Sequence, residues 1–542
     1  MVYKTTLPAV PIPDIDLYSF LVSPNEFNTT KDLDAPIVIE GATGKSLSWN
    51  TIKEQTRLLA TGWHENVGLN PGDTVAVFAP NQLDHVILVL SLLAAKVTIS
   101  PGNPAYTEAE FEHQLGNCQA RTLVTVPELL PVLRKICTKL GINSDRIFLF
   151  GDKEVDGCRP YRSIIGKKPI SLPLQGIKPN DDVAFVSYSS GTTGLAKGVM
   201  LSHRNFVAQV LQVTNFDPNA ARDDDVVLGF LPFYHIYGLT SLILNVFYRV
   251  TPVVIMERYD LELLCQLIEK YKITIAAIVP PVAVHLAKSP IVEKYNLSSI
   301  RLLGCGAAPL GREHIESLAK RIPARLKQGY GMTETTSGVI TQRFEEGVAG
   351  SIGVLVANME CKIVDAENNE LGDDQEGELL FRGPSIMKGY LNNPKANAET
   401  FTSDGWMRTG DVGKFDSKSG EFYIVDRIKE LIKFKGFQVA PAELEALLMS
   451  NYDIADCCVV GVYDNEQATE LPRAYIVLQP GIERSPKTAK AIEDFVAANV
   501  TNYKKLRGGV LFVDAIPKSP SGKILRRQVK DWVKKEPVRA RL

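Results

Sequence analysis

Eleven residues, Tyr188-Ser189-Ser190-Gly191-Thr192-Thr193-Gly194-Leu195-Ala196-Lys197-Gly198, gather hydroxyls, glycines and a single cation into one stretch. Glycines permit tight turns and close backbone approach. Hydroxyls and free N–H groups can wrap an anion, and Lys197 can meet its charge. This composition predicts a phosphate cradle. A P-loop would need Gly-x-x-x-x-Gly-Lys-Ser/Thr opening into a helix. Here Gly198 follows Lys197, and the stretch lies between two strand-like runs, 183–187 and 199–203. A flexible hairpin has the same composition, so the loop needs support from elsewhere in the chain.

Other segments carry chemically capable residues. In Leu231-Pro-Phe-Tyr-His235-Ile-Tyr237-Gly-Leu239, one histidine sits among aromatics, which is often only a packed core histidine. Leu302-Leu-Gly304-Cys-Gly306-Ala307 reads as a strand and then a turn of small side chains, with room to flank a flat ring or to let a strand and helix pack closely. Gln328-Gly329-Tyr330-Gly331-Met332-Thr333-Glu334-Thr335 is again turn-like and rich in N–H and hydroxyl groups. Asp411 follows Thr409-Gly410, where an aspartate commonly caps a turn. Arg427, Lys429, Lys433 and Lys435 alternate with apolar residues. That period-two pattern sets the cations on one face of a strand or hairpin, where they could meet phosphates. Lys523 lies in the Pro/Ser/Gly loop Pro517-Lys-Ser-Pro-Ser-Gly-Lys523.

The elements that must position these residues follow from length and periodicity. A chain of 542 residues exceeds one hydrophobic core, so at least two domains are expected. With 45% apolar and 23% charged residues it reads as a soluble globular protein, and a net charge of −2 offers no general attraction for nucleic acid or anionic lipid. The eight cysteines lack paired metal spacing and read as reduced core residues. The first residues lack a signal-peptide apolar core, and the apolar runs 86–95 and 238–247 are too short to span a bilayer. Strand-like runs at 74–79 and 123–126 alternate with a helical run at 82–95, which favours layered α/β architecture with parallel sheets. Beyond 430, strands at 457–462, 474–478 and 509–512 and a helix at 488–500 give a smaller α+β unit. The tail Ala540-Arg541-Leu542 is a small–basic–Leu variant of the Ser-Lys-Leu peroxisomal address, which would engage a peroxisomal import receptor; peroxisome and cytoplasm both remain open.

Five of these motifs, from residue 188 to residue 527, stand in the order found in adenylate-forming enzymes: acyl-CoA synthetases, firefly-type luciferases and peptide-synthetase adenylation domains. The whole chain resembles that superfamily. It is most similar to 4-coumarate:CoA ligases through 232–239, Gly306-Ala-Ala-Pro-Leu-Gly311 and Lys435-Gly-Phe-Gln-Val-Ala-Pro-Ala-Glu-Leu-Glu445. The resemblance implies a large adenylation domain (1–426), a hinge (427–430) and a small mobile lid domain (431–542). It implies ATP, Mg²⁺ and coenzyme A. Ser189, Ser190, Gly191, Thr192, Thr193 and Lys197 would hold phosphates, together with Thr333. Ala307, Gln328, Gly329 and Tyr330 would surround adenine, with Tyr330 stacking on it. Asp411 would accept both ribose hydroxyls, with Arg427 and Lys429 nearby. Glu334, with Thr193, would hold Mg²⁺, since a carboxylate beside a triphosphate needs a divalent cation between them. His235, Tyr237, Ser241, Gly304 and Gly329 would line the acyl pocket, and Arg258, Lys435, Gly436 and Gln438 would contact coenzyme A. Lys523 would bridge carboxylate and α-phosphate during adenylation, and the face bearing Lys433 would replace it for thioester formation.

Two departures bear on the acid. Relatives usually carry Met or Phe where Tyr234 stands, and often Ala or Gly where Thr335-Thr336 stand; both places are expected near the acyl site. The resemblance favours an aromatic acid of the cinnamate or phenylacetate type. Rival readings are a medium-chain fatty acyl-CoA synthetase, a luciferase-like adenylating monooxygenase, a carrier-loading peptide-synthetase unit and a non-catalytic nucleotide sensor.

Overall fold

A computed structural model describes residues 1–189, 196–217, 220–308, 310, 312–345, 347–435, 437–464, 467, 469–519 and 522–535. Ser190, Gly191, Thr192, Thr193, Gly436 and the tail Ala540-Arg541-Leu542 lie outside the described residues.

Two large mixed sheets form the centre. The seven-stranded sheet places Val183–Ser189 beside Thr98–Gly102, Thr74–Phe78, Thr122–Thr125 and Ile147–Leu149, all parallel. The hairpin partner Lys197–Ser202 then returns antiparallel, with Gly389–Tyr390 on its outer edge. In the nine-stranded sheet, Arg325–Met332, Leu302–Cys305, Ile275–Ile278, Val227–Gly229, Val253–Ile255 and Pro36–Glu40 run parallel. Strands such as Thr74–Phe78, beyond its first residue, and Leu302–Cys305 carry no polar side chains because parallel strands are covered on both faces.

The helix Leu83–Ala94 is buried along nearly its whole length, from His85 to Ala94. That explains its apolar sequence without a membrane, and no helix among the described residues is long and apolar enough to cross one. Helix His203–Phe216 starts where Ser202 accepts from the Asn205 N–H and Asn205 reaches back, a reciprocal cap that fixes the exit from the phosphate-loop hairpin.

A five-stranded antiparallel sheet, Val2–Lys4, Glu360–Val364, Gly377–Arg382, Met407–Asp416 and Glu421–Arg427, completes the large domain. This sheet is not foreseen by the parallel reading, because its strands pair antiparallel and Val2–Lys4 joins it from the first residues of the chain. The small domain carries the hairpin Ile432–Phe434/Phe437–Val439 and the sheet Ile454–Asp464, Thr469–Leu478, Val510–Phe512. Helices Pro441–Ser450 and Pro486–Asn499 contribute to its separate apolar core. The run of cations is therefore divided. Arg427 ends the last strand of the large domain, whereas Lys433 and Lys435 are exposed on and beside the small domain's hairpin. All eight cysteines are free and buried.

Candidate active site

A cavity of about 1660 Å³ lies where the two large sheets, the antiparallel sheet and the small domain meet. Lys197 and Ser189 reach it from the paired ends of the phosphate-loop hairpin, where they stand directly opposite each other.

Glu334 enters from a short turn after Arg325–Met332. Gly331 makes the turn possible, since a Cβ there would lie 2.0 Å from the Ser337 carbonyl oxygen. The carboxylate is only 6% exposed, and its Oε1 accepts from Ser189 Oγ and from Tyr390 OH, each at 2.9 Å. Asp411, buried on the antiparallel sheet, accepts from Tyr330 OH at 2.6 Å and Arg427 Nε at 3.1 Å. Tyr330 itself stacks on Phe381, ring centroids 5.9 Å apart. Gln328 lines the cavity, but its amide braces the loops: Oε1 accepts from the Leu310 N–H and Nε2 donates to the Ser351 carbonyl.

The opposite wall is apolar and aromatic. His235 caps the short helix Ile236–Gly238, its Nδ1 accepting from the Tyr237 N–H at 3.3 Å. Nδ1 is thus unprotonated, so the neutral ring carries its proton on Nε2. Burial, and then the charge of Lys523, push this imidazole down to about 4, so it is neutral at physiological pH. Tyr237 OH donates to the Gly304 carbonyl at 2.9 Å, and a Cβ on Gly306 would lie 3.2 Å from the Tyr237 ring. The flat ring that the small residues flank is therefore Tyr237. The following turns, Leu239–Leu244, are π-helical, a local widening often found beside binding sites. They lead to Asn245, whose Oδ1 is buried without a partner, as are Gln209 Oε1 and Thr214 Oγ1 on the adjacent helix; all three residues line the cavity. Sequence reading missed these three, because polar residues inside a helix carry no positional signal.

Lys523 is delivered by a tight turn of the small domain. Ser519 N–H donates to the Lys523 carbonyl and Gly522 N–H to the Ser519 carbonyl, both at 2.8 Å, with Gly522 at φ +77°. A Cβ on Gly522 would sit 3.2 Å from Pro281, so the turn lies against the large domain. Burial, followed by repulsion from Arg427, pushes the Lys523 ammonium down to about 8, against the pull of Glu430, Asp411 and Glu334. Just beyond, Arg526 pairs with Glu445 of the small domain's own helix at 2.6 Å and with Glu430, which follows the strand ending at Arg427, at 3.2 Å.

The structure thus brings together on one cavity Ser189, Lys197, His235, Tyr237, Ser241, Gly304, Ala307, Gln328, Gly329, Tyr330, Thr333, Glu334, Asp411, Arg427, Lys429 and Lys523. It does not bring in Lys433, Lys435 or Gln438, which are exposed on the small-domain hairpin outside the cavity. Arg258 is also away from the cavity; its side chain is 84% exposed, beside Glu257. Tyr234 does line the cavity, whereas Thr335 and Thr336 do not. Their hydroxyls donate to the Ser337 and Ser385 carbonyls, so that departure shapes the turn behind Glu334 and not the acyl wall.

The AMP-binding enzyme family model matches residues 26–391, and the AMP-binding enzyme C-terminal domain matches 443–523. The chain is 39% identical over 538 residues to a 4-coumarate–CoA ligase of Pinus taeda, covering 97% of each chain. It is 38% identical over 540 residues to 4-coumarate–CoA ligase 2 of Nicotiana tabacum, covering 98% of this chain and 97% of the relative. Its fold matches the anthranilate CoA ligase AuaEII in complex with anthranoyl-AMP, with a TM-score of 0.86, 23% identity and coverage of 97% and 98%. The chain belongs to the AMP-binding enzyme family.

Proposed function

We propose that this AMP-forming acid–CoA ligase activates a hydroxylated aromatic acid of the 4-coumarate type, in two steps. The acid's carboxylate oxygen attacks the α-phosphorus of ATP. The bond to the bridging oxygen of pyrophosphate breaks, giving acyl-AMP and pyrophosphate. The thiol of coenzyme A then attacks the acyl carbon, the thiol proton is lost and AMP departs. The observation that carries this reading is the meeting of Lys523, His235, Glu334 and Asp411 on one cavity, supplied by two domains.

The chemistry assigns each group a task. Two anions must approach in the first step, so charge neutralisation and alignment supply most of the rate. Lys523 stands between the acyl wall and the nucleotide groups, where its ammonium can meet both the carboxylate and the α-phosphate. His235, neutral and protonated on Nε2, can donate to a carboxylate oxygen without adding charge. Asp411 would accept from the ribose hydroxyls, and Lys197 would meet the outer phosphates. Glu334 is fit to hold Mg²⁺: both of its recorded hydrogen bonds fall on Oε1, leaving Oε2 free among the described residues. No cluster of three or more metal-ligating residues occurs among the described residues, which suits an ion coordinated mostly by phosphates. When bound, that ion neutralises the phosphate oxygens.

The unpartnered amide and hydroxyl oxygens of Gln209, Thr214 and Asn245 favour an acid with a hydroxyl remote from its carboxylate over a plain alkyl chain. Lys433, Lys435 and Gln438, exposed in this arrangement, are proposed to turn inward about residues 427–430 for the second step. The test is thioester formation with paired acids, cinnamate against 4-hydroxycinnamate and decanoate against ω-hydroxydecanoate. Turnover of the hydroxycinnamate supports the reading; turnover of decanoate alone replaces the substrate class.

A further inference from the structure

We propose that Tyr390 is a positioning residue that keeps the cation and the anion of the nucleotide site apart. Lys197 and Glu334 face one cavity, the first suited to phosphate and the second to a metal. Left alone, opposite charges in a partly buried site pair with each other and occupy the groups the nucleotide needs. No ion pair joins them among the described residues, and Tyr390 occupies the space that explains why. Its hydroxyl donates to Glu334 Oε1 at 2.9 Å, while its ring face receives Lys197 Nζ, 4.6 Å from the centroid. One side chain thus gives the carboxylate a hydrogen bond and the ammonium a cation–π partner.

Tyr390 is itself firmly held. It is 7% exposed and pairs with Val199, two residues after Lys197, on the edge of the phosphate-loop hairpin. Its N–H donates to Asn397 Oδ1 at 2.6 Å, and Asn397 Nδ2 donates back to its carbonyl at 3.0 Å. The same segment reaches the other group, since the Met387 N–H donates to the Glu334 carbonyl at 2.9 Å. The backbone of 387–391 therefore ties the strand bearing Lys197 to the turn bearing Glu334, and the Tyr390 side chain sets what lies between them.

This assignment rests on the reading of the cavity as an ATP site, and calorimetric titration of the full chain separates the two claims. ATP is titrated with Mg²⁺ and again in chelator. Tyr390→Phe keeps the ring and loses the hydroxyl, so it is expected to weaken Mg²⁺-dependent ATP binding about tenfold and leave metal-free binding within about twofold. Tyr390→Leu also removes the ring and lets Lys197 pair with Glu334, so it is expected to weaken metal-free binding too, by about tenfold. In kinetics, KM for Mg²⁺-ATP rises while KM for the acid stays constant. Wild-type metal dependence in Tyr390→Phe, or equal rises in both KM values, overturns the proposal; should Tyr390→Leu not fold, the Tyr390→Phe titration decides. Absence of ATP binding by the wild type overturns the ATP-site reading and this assignment with it.

Discussion

The two ends of the cavity solve opposite problems. At the nucleotide end the charged groups already have partners: Glu334 is held by Ser189 and Tyr390, and Asp411 by Tyr330 and Arg427. At the end proposed to receive the acid, buried oxygens of Gln209, Thr214 and Asn245 have none. Groups oriented by the protein's own hydrogen bonds are preorganised and keep their placement for one ligand chemistry. A site with unmet hydrogen bonds leaves its completion to the substrate, and rejects a substrate that cannot complete it. The difference separates what is fixed, the adenylation chemistry, from what is chosen, the acid.

Removing the group that joins the two ends should do most damage. Lys523→Ala is expected to slow acyl-adenylate formation by roughly 100- to 1000-fold, the usual cost of losing one preorganised charge, while synthetic acyl-adenylate is still converted to thioester. Equal loss of both half-reactions, measured separately, would place Lys523 outside the first step alone.

The same lysine predicts a pH dependence. Its ammonium is held down to about 8 by burial and by Arg427. The charged form needed for adenylation prevails below that pH and is lost above it, so kcat/KM for adenylation should fall by about tenfold per pH unit once well above 8. His235, pushed down to about 4, stays neutral throughout and should add no limb near neutrality. A flat profile from pH 7 to 10 would contradict this.

The acyl end should show a smaller, selective effect. The wild type is expected to prefer 4-hydroxycinnamate to cinnamate by about tenfold in kcat/KM, and Gln209→Met with Asn245→Leu should reduce that ratio towards one with KM for ATP unchanged. An unchanged ratio in the double variant would remove these amides from acid selection. Smallest of all, Gly306→Ala would bring a methyl 3.2 Å from Tyr237 and should raise KM for the acid a few-fold, again without moving KM for ATP.

The sequence was informative in the same uneven way. Lys197 was picked out by the hydroxyl- and glycine-rich composition of its loop, whereas Glu334, Asp411 and Lys523 were picked out only through the family resemblance, since an aspartate after Thr-Gly or a lysine in a Pro/Ser/Gly loop is ordinarily unremarkable. The strands of the parallel sheets were legible as unbroken apolar runs. The five-stranded antiparallel sheet was not, since its strands share no single burial pattern and Val2–Lys4 joins it from the first residues of the chain. Tyr390 was missed because an aromatic on a two-residue edge strand looks like core; only its two neighbours reveal its place. Thr335 and Thr336 misled in the other direction, polar residues that serve carbonyls behind the site. Gln209 and Asn245 required the fold, because only the packing of two helices brings them to one cavity.

The most direct test of the two-step account is a single-turnover experiment with α-labelled ATP and 4-hydroxycinnamate, quenched before and after addition of coenzyme A. The account predicts labelled acyl-AMP in amounts matching the enzyme before coenzyme A is added, and its conversion to free AMP and thioester afterwards. If no acyl-AMP forms without coenzyme A, yet thioester appears when all substrates are present, the separation of the two steps is contradicted.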